Sequence, residues 1–284
     1  MKNLATALLL GAALAATPAL AQETTEDQPF TGAYIGVSGG YDVQPNDVGS
    51  IVLFDRNLNG TFNDGVSTPA GANAFSPGFC NGQARSALAP QNGGTCRNDK
   101  DGWSYYARLG ADVQRGNFVY GAVGEFGRTE IRDSVTAFSV TPANYVFNRT
   151  IDWEASIRAR AGFAVDTTLF YGTFGPGYAR IDRSFSSSQS TNTFTGRGDR
   201  NQWGIVGGGG VEQKLGSNFS IGLEYTYHQY EDDDYRVRVA GGPTTGTRTP
   251  FTNPNTGPVD GTDLRRSDTK FRWHSLRATA NFRF

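Results

Sequence analysis

Beyond residue 30 the chain alternates apolar with polar or small residues at period two, in eight separate stretches. Period two is the mark of a strand, because successive side chains of an extended chain point to opposite faces. The first stretch, Gly32 to Tyr41, sets Ala33, Ile35, Val37, Gly39 and Tyr41 against Tyr34, Gly36, Ser38 and Gly40. The second, Trp103 to Gln114, is the clearest: Trp103, Tyr105, Ala107, Leu109, Ala111 and Val113 oppose Ser104, Tyr106, Arg108, Gly110 and Asp112. The third starts at Phe118 and reaches Phe126, with Val119, Gly121, Val123 and Glu125 on its second face. In the fourth, Arg149 to Val165, Ile151, Trp153, Ala155, Ile157 and Ala159 oppose Asp152, Glu154, Ser156, Arg158 and Arg160. The fifth runs from Leu169 to Phe185, with Pro176 read as a bulge because proline cannot donate to the ladder. The sixth is Gln202 to Leu215, the seventh starts at Phe219 and reaches His228, and the eighth is Lys270 to Phe284.

Strand length and connection length decide what these strands form. Most stretches hold about ten residues or more, the length a tilted membrane strand needs; soluble strands average nearer five or six. Connections after stretches two, four and six are only a few residues, whereas those after one, three, five and seven are long and polar. Membrane barrels have that asymmetry, with short turns inside the cell envelope and long loops outside. Aromatics gather at stretch ends (Tyr41, Trp103, Phe118, Trp153, Phe170, Tyr171, Trp203, Phe219, Phe282 and Phe284), where a barrel places its interfacial girdles. A soluble sandwich alternates too, but lacks these three features. The expected fold is all-β: an eight-stranded antiparallel transmembrane β-barrel with long external loops.

The front of the chain agrees. Met1 to Ala21 combines Lys2, an apolar run from Leu4 to Ala16 and the small-x-small triplet Ala19-Leu20-Ala21, the layout of a secretory signal peptide. Residues 22–29 then form a short tail, and 30–284 the barrel. No later run is long and apolar enough for a membrane helix. The chain carries 37 Gly, 19 Phe and 12 Tyr, with 26 basic against 27 acidic residues. That charge balance argues against nucleic acid as a partner, which calls for a basic surface.

Four segments carry a family likeness: the opening Phe30-Thr31-Gly32-Ala33-Tyr34-Ile35-Gly36, Leu169 to Ala179, the run Gly207-Gly208-Gly209-Gly210-Val211-Glu212, and the closing Phe282-Arg283-Phe284. With the leader, they make the chain resemble the porin-family, OmpA-like small outer-membrane barrels of Gram-negative bacteria. The resemblance covers nearly all of the mature chain and implies residence in the outer membrane. It implies contact with outer-membrane lipid and lipopolysaccharide, and a monomeric state. It also implies that the barrel-assembly machinery reads Phe282 and Phe284. Two departures stand out: the first external loop, about Asp42 to Gly102, is unusually long, and the chain ends on a strand, with no peptidoglycan-binding domain expected after it.

An eight-stranded barrel has an interior that side chains can fill. The alternation turns Arg108, Asp112, Glu125, Arg158, Arg160, Arg180, Glu212, Lys214, Glu224 and Arg277 inward. Mixed charges in so narrow a space should pair, because an unpaired buried charge is very costly. A plugging ion-pair network and a narrow polar conduit both remain open. Cys80 and Cys96 lie in the long first loop of an exported chain, where a disulfide is expected. The same loop carries Asp55, Asn57, Asn59, Gly60, Thr61, Asn63 and Asp64, the first half of a calcium-loop pattern. Its twelfth position is Val66 rather than a bidentate glutamate, so an Asx-rich turn competes with calcium; no other cofactor is expected. The acidic run Glu231 to Asp234 should face Arg265, Arg266 and Lys270 across a hairpin. The two histidines, His228 facing in and His274 facing out, have no readable nucleophile partner, and Gly207 to Gly210 lies within a strand and lacks the Lys-Ser/Thr of a phosphate loop. The expectation is therefore no enzyme. The expected role is structural and surface-presenting, with a narrow porin for small polar solutes and adhesion through loop one as alternatives.

Overall fold

The computed structural model describes residues 28–45, 49–241, 249–252 and 261–284. The signal peptide and most of the short tail lie outside these residues. Eight long strands close into an antiparallel barrel: β1 (Gly32–Val43), β2 (Gly102–Arg115), β3 (Phe118–Thr129), β4 (Ala143–Val165), β5 (Thr168–Ser187), β6 (Asn201–Lys214), β7 (Phe219–Glu231) and β8 (Lys270–Arg283). Each strand pairs with its sequence neighbours, and β1 pairs with β8 to close the cylinder, with Ile35 opposite Phe282. Closure leaves no strand edge bare, which is what a sheet in hydrocarbon requires.

The face that meets lipid is apolar: Val37, Leu109, Phe126, Ile157, Phe174, Leu223 and Leu276 are all exposed. Rings mark its two rims. At the loop end Phe126, Trp153, Tyr178 and Trp203 follow one another at centroid spacings of 5.9, 5.8 and 4.8 Å, and Tyr41 meets Trp103 at 5.4 Å. At the short-turn end Phe118 meets Phe163 at 5.5 Å, and Phe282 meets Phe284 at 5.3 Å. An amphipathic ring suits the water–lipid boundary, so the two rims bracket the span.

The inner wall packs tyrosines flat over cross-strand glycines. A Cβ on Gly110 would lie 2.3 Å from the Tyr34 ring, and one on Gly127 or Gly204 would lie 2.5 Å from Tyr106 or Tyr230. These pairs explain why so narrow a barrel needs glycine at inward positions: the ring takes the volume that a side chain would fill.

Three features depart from the simple alternation. Pro176 makes no bulge; it stays in register opposite Ile205, and β4 and β5 hold one register on either side of it. The irregularity lies instead at Asp152, where Trp153 pairs with Arg180 but Ile151 pairs with Ile181. One extra residue on β4 reverses the facing above that point. Ile151 therefore turns inward and Asp152 outward, opposite to the sequence expectation. Further, β4 begins at Ala143, well before Arg149, and pairs with the strand Arg132–Ser139 to form a hairpin above the membrane. The connection expected to be a polar loop is thus part of the sheet. Short strands from the external loops complete a cap: Val52–Asp55, Thr262–Arg266, Arg236–Gly241 and Asn192–Arg197 form one sheet, and Gly78–Asn81 pairs with Arg132–Ser139.

Candidate functional site: the filled lumen and the braced cap

From the short-turn end upward, the interior is filled in layers. Phe30, fully buried, packs with Val119, Ala164, Leu169 and Tyr171 at the bottom. Above it Arg160 pairs with Asp112 at 2.7 Å and with Glu212, while Arg283 reaches Asp112 at 3.0 Å and Glu212 at 3.6 Å. The guanidinium of Arg160 lies 3.9 Å from the centroid of the Tyr171 ring, and that of Arg283 lies 4.6 Å from Tyr34. Each of these planar cations stacks its face on a ring and bonds carboxylates along its edge. Lys214 sits at the mouth and donates to the Ser217 carbonyl at 2.5 Å, rather than joining the network.

The middle layer is shared rather than paired. Arg108 and Arg158 both contact Glu125, at 3.4 and 2.6 Å, and both contact Glu224, at 3.2 and 3.1 Å. Arg277 also reaches Glu125, at 3.5 Å, and the Tyr171 hydroxyl donates to Glu224 at 2.7 Å. Above them, the Glu154 carboxylate accepts from Tyr106, Tyr230 and His228 Nδ1, each at 2.7 Å. Arg277 approaches His228 Nε2 at 2.9 Å. A guanidinium can only donate, so that nitrogen must accept, and the His228 proton sits on Nδ1. The His228 ring stacks 4.7 Å from Trp273.

Then comes a layer without charge: Ile131, Ile151, Ala179, Ile181, Val206, Phe271 and Trp273 pack together, all buried. The bulge at Asp152 matters here, because it swings Ile151 into this seal. A second charged layer crowns it. Arg149 is met by Asp133 at 2.5 Å and by Asp232 and Asp268 at 2.9 Å each; Arg266 also holds Asp133, and Arg183 holds Asp232. Burial works against ionised Asp133, but Arg149 and Arg266 outweigh it and keep its carboxyl below the usual range. Above that sits the apolar core of the cap, where Phe54, Phe75, Tyr145, Phe147 and Phe251 meet Val237, Val239 and Leu264.

Of the residues expected in the lumen network, the structure brings together Arg108, Asp112, Glu125, Arg158, Arg160, Glu212, Glu224 and Arg277. Arg180 is a correction. The inward face of β5 is Leu169, Tyr171, Thr173, Gly175, Gly177, Ala179 and Ile181, so Arg180 points outward and pairs with exposed Asp152 at 3.5 Å. The expected hairpin of opposite charges also re-sorts. Lys270 meets Glu231 at 3.8 Å, but Arg266 turns to Asp133, and Arg265 stacks 4.4 Å from Phe62. Reasoning from sequence missed Arg283, Glu154 and the Arg149 cluster. Arg283 and Glu154 sit on the inward face by period two and were legible; Arg149 lies beyond the bulge and was not.

In the cap, Cys80 and Cys96 form a disulfide, with Cα atoms 6.6 Å apart. The Asp55 loop is an Asx-rich turn. Buried Asp55 accepts from the amides of Asn59 and Gly60, Asp64 from those of Arg56 and Asn57, and Asn59 from Thr61. Leu58 and Gly60 adopt positive φ to make that turn. Asn63 borders a hollow beside Phe54 and Phe62. Among the described residues no group of three or more His, Cys, Asp or Glu gathers as a metal site. Phe282 and Phe284 lie exposed on the lipid face beside the short turns.

The chain is similar to several known outer-membrane proteins. A 22 kDa outer membrane protein of Rhizobium leguminosarum is 29% identical over 126 residues, 44% of this chain; the chain thus spans about half (52%) of that relative's length. A 31 kDa outer-membrane immunogenic protein of Brucella melitensis is 23% identical over 96% of both chains. Among solved structures, Ail of Yersinia pestis aligns over 87% of this chain and 99% of its own, at 14% identity and a TM-score of 0.29. The family profile described as "Outer membrane protein beta-barrel domain" matches residues 7–242. With a closed barrel, a lipid-facing apolar wall and that match over most of its length, the chain belongs to the outer membrane protein beta-barrel domain family and resides in the outer membrane.

Proposed function

We propose that this protein is a plugged barrel whose work is done outside the membrane, as a rigid mount for the disulfide-braced cap. The observation that carries the reading is the stack of sealed layers. A solute entering the barrel meets Phe30, two shared charge layers, the apolar seal around Trp273 and Phe271, and the Arg149 cluster in turn. Each charged layer is held by several partners at once, so opening a path means breaking buried pairs rather than moving one loop. That weighs against the narrow-porin reading. The external side is correspondingly developed: long strands β4 and β5 rise into a cap with its own apolar core. Relatives named immunogenic are in keeping with an exposed exterior. Adhesion would be one use of such a cap.

Planar-bilayer recording tests the proposal. The folded, purified chain is expected to give no stable conductance steps. Reproducible ohmic steps that survive repurification would overturn it in favour of a conduit.

A further inference from the structure

The cap continues the barrel wall and then splits. Above the rim, the upper part of β5 pairs with β4, β4 with Arg132–Ser139, and that strand with Gly78–Asn81. Asn192–Arg197, Arg236–Gly241, Thr262–Arg266 and Val52–Asp55 make the other half. The two half-sheets face each other across the aromatic core, so two seams run up the cap, each between two strand edges. A bare edge offers a row of N–H and C=O groups to any extended chain that reaches it.

The seam between Val52–Asp55 and Gly78–Asn81 is bridged by the chain itself. The segment from Asp64 to Ala74 crosses it: the Asp64 amide donates to the Phe54 carbonyl at 3.0 Å, and the Ala74 carbonyl accepts from the Val140 amide at 2.8 Å. Val66, Ala74 and Phe75 enter the core there. The seam between residues 182–187 of β5 and Asn192–Arg197 is different. Its lower end is shut by the Ile181 amide, which donates to the Arg200 carbonyl at 2.7 Å, and by Arg183, which donates to the Asp199 carbonyl. Above that point β6 no longer pairs with β5, and among the described residues no hydrogen bond joins the two edges. A hollow of about 380 Å³ lies between them, floored by half-buried Phe185, Phe194 and Tyr235 and bordered by Ser184, Gly196 and Gly198. Residues 182–187 and 192–197 contain no lysine or proline, the usual guards of an edge.

We infer that this open seam binds an extended segment of a partner protein, which adds as a strand along the bare edges and sets an apolar side chain at every second position on the floor of Phe185, Phe194 and Tyr235. Only another extended backbone matches a row of main-chain donors and acceptors, and the first seam already takes such a segment from the chain itself. Residues 182–187, at about 3.3 Å each, offer an edge of about 20 Å, room for a strand of about six residues. The inference rests on the cap being the working surface but not on a closed lumen, so bilayer recording and the test below can fail separately.

The full mature chain, refolded in detergent, is mixed with a short peptide of alternating valine and threonine, and amide hydrogen exchange is followed by mass spectrometry. Without peptide, the outward amides of 182–187 and 192–197, every second one along each edge, are expected to exchange fast. Millimolar peptide is expected to slow them by roughly threefold or more and to leave Gly78–Asn81 unchanged. The same peptide N-methylated at every amide should have no effect, because it cannot donate to an edge. Equal protection by the methylated peptide would overturn the inference, since an apolar hollow alone would explain it. So would no protection by the unmethylated peptide, or equal protection at Gly78–Asn81. Slow exchange before any peptide is added would also overturn it, because the edges would already be covered: by a second copy if the protection fades on dilution, by the chain itself if it does not.

Discussion

Consider removing one carboxylate from the middle of the lumen, by Glu224→Gln. Glu224 is fully buried and accepts from Arg108 at 3.2 Å, Arg158 at 3.1 Å and Tyr171 at 2.7 Å. The substitution leaves three guanidiniums, of Arg108, Arg158 and Arg277, to share Glu125, with Glu154 the next carboxylate above. Breaking a buried pair by deleting one partner costs about 3–5 kcal/mol, because the other charge stays behind. The glutamine carbonyl can still accept from Tyr171, so the lower end, about 3 kcal/mol, is the expectation. A second substitution then tests the cause. Arg158→Met removes one of the stranded cations, so Glu224→Gln/Arg158→Met should lose less than the sum of the two single losses, by about 1.5 kcal/mol or more. The assay is urea unfolding of the protein in lipid vesicles, followed by tryptophan fluorescence and by heat-dependent gel migration. A loss under about 1 kcal/mol for Glu224→Gln, or single losses that add within about 0.5 kcal/mol, would refute the view that this layer is held by shared charge.

Four further outcomes follow from the same structure. Gly110→Val places a side chain where the Tyr34 ring lies, 2.3 Å from an ideal Cβ, and should abolish the heat-modifiable folded form; a normally migrating variant would contradict the ring-over-glycine packing. Reducing the Cys80–Cys96 bond removes a constraint worth about 3 kcal/mol for a loop of about fifteen residues. Tryptic cleavage at Arg85 or Arg97 should then accelerate while barrel migration stays unchanged. Asp99 is pushed up to about 7, first by burial and then by neighbouring Asp133, from an ordinary carboxylate value of 3.8. The folded cap thus holds a proton that the unfolded segment releases, so its contribution is full below about pH 4 and is lost as pH rises to about 7. Protease resistance of loop one should fall across that window in the native protein and not in Asp99→Asn. Finally, titrating millimolar calcium into the refolded protein should release no heat, since the Asp55 and Asp64 carboxylates are already engaged by backbone amides; a saturable signal lost in Asp55→Asn would reverse that assignment.

Within the membrane, the sequence was a nearly complete guide, because lipid enforces the alternation. An outward arginine at mid-span is penalised directly, so Arg108 declares its inward face and alternation puts Leu109 on the lipid face. Connection length gave the orientation, and the two cysteines gave their bond. Legibility ended at Asp152. One inserted residue reverses the parity of β4, and nothing in Ile151-Asp152-Trp153 distinguishes a bulge from an unbroken strand. Arg180 failed for a related reason: on β5 small residues such as Gly175 and Gly177 face inward and leave no contrast by which to read the face. The cap was the least legible. Its strands Val52–Asp55, Arg236–Gly241 and Thr262–Arg266 are six residues or shorter and pair across distances in sequence that local periodicity does not report. The sharing of Glu125 and Glu224 among three arginines was likewise hidden, since it depends on which strands face one another across the cylinder.

The hairpin formed by Arg132–Ser139 and the start of β4 offers a practical handle. Ten residues of β4, Ala143 to Asp152, lie beyond the Trp153 rim. At about 3.3 Å per residue and a tilt near 40°, they lift the Val140–Pro142 tip about 25 Å above the bilayer boundary. An epitope spliced into that tip would stand clear of the lipid on a stem anchored by the barrel wall itself, reachable by antibodies on intact cells while the short turns face the periplasm.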